Sequence, residues 1–312
     1  MYDRAWAPEE LPAFARAAEG LGVDELWVVE DLGWAGSMAS AAAALAVTER
    51  LRVGIGIAPA PLRNPALLAM ELGALARMFP GRLTAGVGHG VREWMVQVGA
   101  APRSPLALLE ETVTAVRGLL RGEEVTLDGR EVRLDGVRLV HPPAVVPPVV
   151  AGVVRPRSLE LSGRVADGTI LAEGHGPADL EQARGLIAEG RAAQRADGSG
   201  RAGVGMRVGD TDVADGAPHE LTVFVFLCVE EDAERLRETV GETLAAHAAW
   251  LGRPVEELFA AVGPAAVVAA RVRELWAAGA SSVVLRAVGP EPFTQVEAVV
   301  GALGTDRARA DG

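Results

Sequence analysis

Residues 51–90 read LRVGIGIAPAPLRNPALLAMELGALARMFPGRLTAGVGHG and contain a strand, a helix and a second strand, in that order. The runs at 51–57 and 82–88 are short, apolar and bounded by turn residues, as strands are. Between them, Asn64 and Pro65 supply a capping side chain followed by a proline at the first helical position, which predicts a helix to about Met78. A helix between two strands is the unit from which parallel sheets are built.

The same alternation extends through the rest of the chain. Seven strands are predicted, and they fit a (β/α)8 TIM barrel better than an open doubly wound sheet, because no G-x-G-x-x-G follows the first of them. We therefore predict an α/β fold with a single barrel domain over residues 1–304. The strands are placed at 25–30, 51–57, 82–88, 149–152, 168–172, 221–229 and 282–286. The helices are placed at 8–21, 37–50, 65–78, 105–120, 156–165, 177–195, 231–250, 254–278 and 293–303, with Ser37 and Ser104 as expected N-caps.

Two features depart from this pattern. Residues 124–140 (EVTLDGREVRLDGVRLV) hold two Asp-Gly pairs between alternating runs, which predicts a β-hairpin insertion within about 122–147. A barrel also needs eight strands, and none precedes the first predicted helix, so the first strand is expected to be missing or truncated. Either the true start lies upstream or the barrel closes by other means, since two unpaired strand edges would favour association. Residues 196–219 are predicted to be a long loop and 305–312 a disordered tail.

Composition excludes several classes of protein. The net charge of −12 disfavours nucleic acid and anionic membranes as partners, and aromatic residues make up only 4% of the 312 residues. No apolar run is long enough to span a bilayer and no secretory signal is visible, which predicts a cytoplasmic protein.

The single cysteine, Cys228, lies in an apolar run and is read as a buried hydrophobe. The five histidines lack the spacing of metal ligands, so no metal site is predicted.

Four segments carry a family resemblance, and they are residues 21–31 (LGVDELWVVED), 48–65 (with TERLRVGIGI and PLRNP), 79–90 (FPGRLTAGVGHG) and 163–168 (GRVADG). Together they resemble the luciferase-like family, most closely its F420-dependent branch typified by methylenetetrahydromethanopterin reductase. Their order and spacing hold over about residues 8–175. The resemblance implies a cofactor at the C-terminal mouth of the barrel, either the deazaflavin coenzyme F420 or, alternatively, FMN.

The resemblance also implies where this cofactor lies. In the family, a bulge with a non-prolyl cis peptide backs the central ring, and Gly56, Ile57 and Ala58 fall at that place; the plain alternative is a glycine-bearing buried strand. The loop after the strand at 149–152, with Gly152, Val153, Val154 and Arg155, then precedes a helix N-terminus, a natural phosphate seat. A solvated basic turn is the alternative there. Glu173, after the strand at 168–172, is expected to face the mouth as well. The remaining residues expected to bind the cofactor are Glu30, Asp31, Gly88, His89 and Gly90.

Two residues are candidates for proton transfer. His89, between Gly88 and Gly90, has an ordinary pKa near 6.5 that suits this work at neutral pH. Glu30 and Asp31 end the second barrel strand, where many relatives carry Asp-His, so Asp31 is the second candidate. Helix capping for Asp31 and a structural turn for His89 remain open. The residues predicted to line the substrate pocket are Trp34, Glu93, Trp94 and Arg286.

The sequence thus predicts an F420-dependent oxidoreductase that moves hydride between the deazaflavin and a small organic substrate, with His89 or Asp31 moving the proton. One alternative is an FMN-dependent monooxygenase of the same fold. The other is a non-catalytic flavin-binding barrel, because the His of many relatives and the Glu of some are both replaced. The identity of the substrate is not encoded in these motifs. Dimers are common in the family, so a homodimer is also expected.

Overall fold

The computed structural model describes residues 1–196 and 218–310, with side chains described as far as residue 304. Within it, eight strands form one parallel sheet in the order β1-β2-β3-β6-β7-β8-β10, with β9 beside β8. All strand pairs in this sheet are parallel, as the alternation of strands and helices predicts. The strands are β1 Glu25–Val28, β2 Arg52–Pro59, β3 Leu83–Gly88, β6 Val149–Gly152, β7 Gly168–Leu171, β8 Glu220–Val229, β9 Ala261–Gly263 and β10 Ser282–Ala287, and a separate hairpin holds β4 Val125–Asp128 and β5 Arg133–Val137.

Helices connect the strands and cover the sheet. They are α1 Leu11–Gly20, α2 Ser37–Ala46, α3 Pro65–Met78, α4 Arg92–Gln97, α5 Pro105–Leu120, α6 Pro156–Val165, α7 Pro177–Ala196, α8 Ala233–Leu251, α9 Ala265–Ala277 and α10 Pro292–Ala310. Short 3-10 turns lie at Pro8–Glu10, Ala60–Leu62 and Val255–Glu257. The main core lies between the helices and the outer face of the sheet.

Three local predictions are wrong. Ser37 does not cap α2 but begins it. Ser104 is the N-cap of α5 as predicted, without a side-chain bond, and Asn64 accepts from the Ala66 amide at 2.9 Å. The stretch 254–278 is not all helical, because strand β9 precedes α9. The last helix also continues to Ala310, past the predicted start of the tail. The predicted loop at 196–219 lies mostly outside the described residues.

The hairpin insertion forms, with one difference from the prediction. Asp128-Gly129 begins the connection between β4 and β5, and three amides there donate to the Glu111 carboxylate at 2.8–2.9 Å. The second pair, Asp135-Gly136, lies inside β5, where Gly136 has a φ of 60° and the register shifts opposite Thr126. A bulge of this kind uses the same left-handed glycine that a turn would use.

Residues Met1 and Tyr2 lie between β1 and β10, where a first barrel strand was expected. The amide of Tyr2 donates to the Trp27 carbonyl at 2.9 Å, and the Met1 amino group donates to the Leu285 carbonyl at 2.8 Å. These two bonds bridge the edge strands of the curled sheet, whose main-chain groups thereby gain partners on that side.

The inside of the barrel is filled by side chains. Trp27 and Phe224 meet edge to face with ring centroids 5.5 Å apart. Glycines in β2 make room for them, because a Cβ at Gly54 would lie 2.3 Å from the Trp27 ring and one at Gly56 would lie 2.7 Å from Phe224. A packed interior confines any ligand to the ends of the strands.

Asp167, in the segment 163–168 that carries part of the resemblance, has a structural role. Its carboxylate binds the buried Arg117 guanidinium, with Nη2 to Oδ1 at 2.5 Å, and accepts from the Val149 amide at 2.9 Å. One side chain therefore joins α5, β6 and β7. Breaking a buried ion pair of this kind would leave a charge without a partner.

Candidate active site at the carboxyl ends of the strands

The predicted site residues gather at one end of the barrel. Asp31 follows β1, Ile57 lies near the end of β2, His89 follows β3, Gly152 ends β6 and Glu173 follows β7. Because all these strands are parallel, their carboxyl ends face the same side, where barrel enzymes carry their chemistry. This region is called the mouth below.

The floor of the mouth is formed where β2 leaves its regular register. The pairing of β2 with β3 shifts between Ile55 and Ala58, and the peptide bond between Gly56 and Ile57 is cis. The half-buried Ile57 side chain then lies against two glycines of neighbouring strands. A Cβ would lie 2.4 Å from Ile57 Cγ2 if built on Gly152, and 3.0 Å from Ile57 Cγ1 if built on Gly88. Only glycine fits beneath Ile57 at Gly152 without a shift.

Several residues predicted to bind the cofactor contribute backbone at most. The side chains of Ala58 and Val153 are buried in the main core on the helix side of the sheet. Gly56 is required by the packing of Phe224, described above. Gly90 has a φ of 69° and turns the chain after β3. These residues therefore set the course of the backbone at the mouth and place no side chain in it.

His89 lies beside the first turn of α6. Its Nε2 is 3.1 Å from the hydroxyl of the buried Ser158, and within the described part of the chain its Nδ1 is buried and makes no hydrogen bond. Burial lowers the pKa of His89 below 6.5, while the nearby Pro105 carbonyl opposes this shift. The imidazole is therefore neutral at neutral pH, with one nitrogen still able to accept or donate a proton.

Glu30 and Asp31 are neighbours in sequence but belong to different clusters. Glu30 binds Arg63 and accepts from the hydroxyl and, at 3.0 Å, the amide of Ser37 at the start of α2. Asp31 binds Arg4, whose Nη1 lies 2.5 Å from its Oδ2. Glu30 thereby satisfies a helix N-terminus, which is a structural role.

The two predicted pocket tryptophans meet at Arg4. The Arg4 guanidinium carbon lies 5.7 Å from the Trp34 ring centroid and 5.8 Å from that of Trp94, within the range of cation–π attraction. Trp34 is half exposed, and Glu93, beside Trp94, is exposed on α4. Asp31, Trp34 and Trp94 are thus joined through a residue that sequence reasoning did not select.

Glu173 and Arg286 form a second charged cluster, which adjoins the first because Arg286 binds Asp3, the neighbour of Arg4 in sequence. Arg286 Nη1 binds Glu173 Oε1 at 3.0 Å, and its Nε binds Asp3 Oδ2 at 2.8 Å. Burial alone would lower the pKa of Arg286, but the two carboxylates reverse this and raise it. The guanidinium is therefore permanently charged and fixed in place.

Asp3, Arg4 and Ser158 are the mouth residues that sequence reasoning missed. Asp3 and Arg4 lie before the first helix, in a segment without periodicity, and they reach the site only because residues 1–2 run between β1 and β10. Ser158 gave a weak signal, since it lies in the first turn of the helix that follows the predicted phosphate seat. Arg63 was visible in the PLRNP segment, but its pairing with Glu30 was not.

The predicted phosphate seat lies at the N-terminus of α6, and Arg155 is exposed there. A cavity of about 290 Å³ opens beside this turn. It is lined by residues that include Val154, Arg155, His175, Asp179 and Arg253. Pro156 has no N–H and the Ser158 amide binds the Arg155 carbonyl, so the positive end of the helix dipole and the nearby cationic side chains are what suit a phosphate here.

The residues described contain no group of three His, Cys, Asp or Glu side chains arranged to hold a metal ion. Within the same described part, no helix is long and apolar enough to cross a membrane. Cys228 is buried, as its apolar surroundings in sequence predict.

Comparison with known proteins places this arrangement in a family. The model of the luciferase-like monooxygenase family matches residues 2–305. The chain belongs to that family. Among curated relatives of this luciferase-like chain, the 5,10-methylenetetrahydromethanopterin reductase of Methanolobus tindarius is 30% identical over 177 residues, which cover 57% of this chain and 54% of that protein. The chain therefore spans about half the length of the curated relatives it matches.

Solved structures agree on the fold. An F420-dependent secondary alcohol dehydrogenase in complex with an F420–acetone adduct has a TM-score of 0.80, with 19% identity and 96% of both chains covered. The oxygenating constituent of the 3,6-diketocamphane monooxygenase of Pseudomonas putida, in complex with FMN, has a TM-score of 0.71, with 15% identity over 98% of this chain and 95% of that one. The predicted TIM-barrel class is thus confirmed for the luciferase-like chain.

Proposed function

We propose that this protein is an F420-dependent oxidoreductase that transfers hydride between the deazaflavin ring and a small organic substrate. The observation that carries the proposal is the floor of the mouth, where Ile57 lies over Gly88 and Gly152. The two glycines allow the Ile57 side chain to lie close against the sheet, and this aliphatic side chain suits the face of a planar ring. The named F420-dependent relatives favour the deazaflavin over FMN.

The residues present fit such a group at both of its ends. A side chain at position 152 would collide with Ile57 and one at position 88 would crowd it, so glycine at both positions lets Ile57 pack against the sheet. At the N-terminus of α6, the exposed Arg155 and the adjacent cavity suit the phosphate in the side chain of the cofactor. When bound, the cofactor supplies the two-electron chemistry, and the protein supplies position and electrostatics.

His89 is the group best suited to hold and move the proton. It is neutral at neutral pH because burial lowers its pKa, and its Nδ1 has no hydrogen-bond partner among the described residues. Ser158 fixes the ring through Nε2. The imidazole can therefore hold a proton without first breaking an ion pair, and because Nδ1 is buried, exchange with a substrate would run through Nε2 and the Ser158 hydroxyl.

Asp31 is less suited to this role. Its carboxylate is bound by Arg4, so proton uptake there would have to disrupt the ion pair. We propose that Asp31 positions Arg4, and that Trp34 and Trp94 form the wall on that side of the mouth.

The test is a side-by-side titration of the protein with F420 and FMN. We expect quenching of F420 fluorescence with a saturable, tighter isotherm than FMN gives. His89→Ala is expected to leave F420 affinity within about twofold while lowering turnover by about 10²–10⁴-fold, the usual contribution of general acid–base catalysis. Tighter binding of FMN would favour the monooxygenase alternative. Binding of neither would favour a non-catalytic barrel.

A further inference from the structure

We infer that Arg4 is the substrate-recognition residue of this mouth and that it binds an oxyanion, a carboxylate or a phosphate, carried by an aromatic substrate. That the ligand is a substrate rests on the proposed function, whereas the binding site itself is argued from side-chain geometry. It names a ligand class for the Arg4–Asp31–Trp34–Trp94 cluster, called the Arg4 cluster below.

Three guanidinium groups bind the carboxylates that follow β1 and β7, which belong to Glu30, Asp31 and Glu173. They differ in the number of carboxylates that each one binds and in their exposure. Arg63 binds both Glu30 and Glu71, and Arg286 binds both Glu173 and Asp3. Their side chains are only 17% and 23% exposed. Each of these two cations is outnumbered by its carboxylate partners and is more deeply buried, so it is a poorer site for a further anion than a guanidinium with one carboxylate.

Arg4 is different on both counts. One nitrogen, Nη1, binds one carboxylate, that of Asp31, and its side chain is 36% exposed. No other hydrogen bond from Arg4 occurs within the described residues 1–196 and 218–310. A guanidinium has five N–H donors in a planar fork, so most of its donors remain available for a second oxyanion.

The contacts of the Arg4 cluster also fix the position of the Arg4 guanidinium. The backbone on either side is tied down, since the Tyr2 amide bonds Trp27 and the Ala5 amide bonds Asp3 Oδ1 at 2.9 Å. Trp34 and Trp94 approach the guanidinium from two elements, the loop after β1 and helix α4. A guanidinium fixed by an ion pair and two rings loses little freedom when a ligand binds.

Trp34 indicates what the oxyanion is attached to. Its side chain is 51% exposed, beside the charged donor and at the mouth. An exposed indole next to a partly free guanidinium suits a ligand with a flat apolar body and an anionic end. An aromatic carboxylate or an aryl phosphate has both features.

The test uses benzoate, phenyl phosphate and the uncharged benzamide as probes, with binding measured by calorimetry. Benzoate or phenyl phosphate is expected to bind about tenfold or more tightly than benzamide, as one charge-assisted hydrogen bond would give. Arg4→Gln should abolish this preference, and Arg4→Lys should restore part of it. The matched control is Arg92→Gln, which removes an exposed positive charge from neighbouring helix α4 and should keep the preference.

The anion inference is overturned if benzoate and benzamide bind the wild-type protein equally, or if Arg4→Gln keeps the preference. The two anionic probes distinguish a carboxylate from a phosphate as the group recognised. F420 is titrated in parallel on every variant, and Arg4→Gln is expected to leave its affinity unchanged. If F420 fails to bind while the Arg4-dependent preference persists, the proposed function fails and the anion site stands. Circular dichroism of Arg4→Gln and Arg4→Lys establishes that both are folded.

Discussion

The contact between Ile57 and Gly152 makes the sharpest prediction about the floor of the mouth. A methyl group added by Gly152→Ala would lie 2.4 Å from Ile57 Cγ2, far inside the normal contact distance between carbon atoms. Cγ2 branches directly from Cβ, so a terminal rotation of the side chain cannot relieve the collision. Overpacking of this kind costs about 1–3 kcal/mol of unfolding free energy.

A double-mutant cycle isolates this contact. Ile57→Ala removes Cγ2, so Gly152→Ala should be nearly harmless in that background, with a coupling energy of about 1–3 kcal/mol. Ile57→Val is the matched control, because it shortens the side chain but keeps the branch at Cβ that causes the collision. In the Val background the penalty of Gly152→Ala should persist.

Urea unfolding followed by far-ultraviolet circular dichroism measures all six proteins of the two cycles. F420 fluorescence then reports whether the floor still accepts the ring. Equal penalties for Gly152→Ala in the Ile, Val and Ala backgrounds would refute the packing of Ile57 against Gly152, and with it the description of the floor.

Two further predictions concern stability. Burial lowers the pKa of His219 to about 4, so its neutral form is favoured in the folded chain. The stability this gives is present above pH 6.5 and is lost as the pH falls towards 4, by up to about 2 kcal/mol at pH 5. His219→Gln should flatten this part of the pH dependence in urea melts; an unchanged slope would contradict it. Gly190→Ala would place a methyl 1.9 Å from the Glu160 carbonyl oxygen, where α7 crosses α6. It should lower the unfolding free energy by about 1–3 kcal/mol, whereas Gly185→Ala, on an open face of α7, should be neutral or stabilising; equal effects would contradict the crossing.

Local signals predicted the framework of this barrel well. The alternation of short apolar runs with capped amphipathic stretches located all seven strands on the main path of the sheet. This is possible because the patterns of a buried strand and of an amphipathic helix each extend over only a few neighbouring residues. Strand β9 was missed, since three residues between two helical patterns carry almost no periodic signal. The Asp135-Gly136 bulge was read as a turn because both use the same backbone conformation.

The site was predictable in its position but not in its contacts. Parallel strands must present their carboxyl ends together, so the gathering of Asp31, Ile57, His89 and Gly152 followed from the order of elements. Side-chain partners depend on long-range geometry that a single sequence does not encode. The pairing of Asp31 with Arg4 is the clearest case, because it depends on residues 1–2 crossing between the edge strands.

The most direct test of the central claim is a crystal structure of the protein grown with F420. We expect electron density for the deazaflavin ring against Ile57, with the phosphate at the N-terminus of α6 beside Arg155. Density for the ring away from Ile57, or a mouth into which F420 does not enter at saturating concentration, would contradict it.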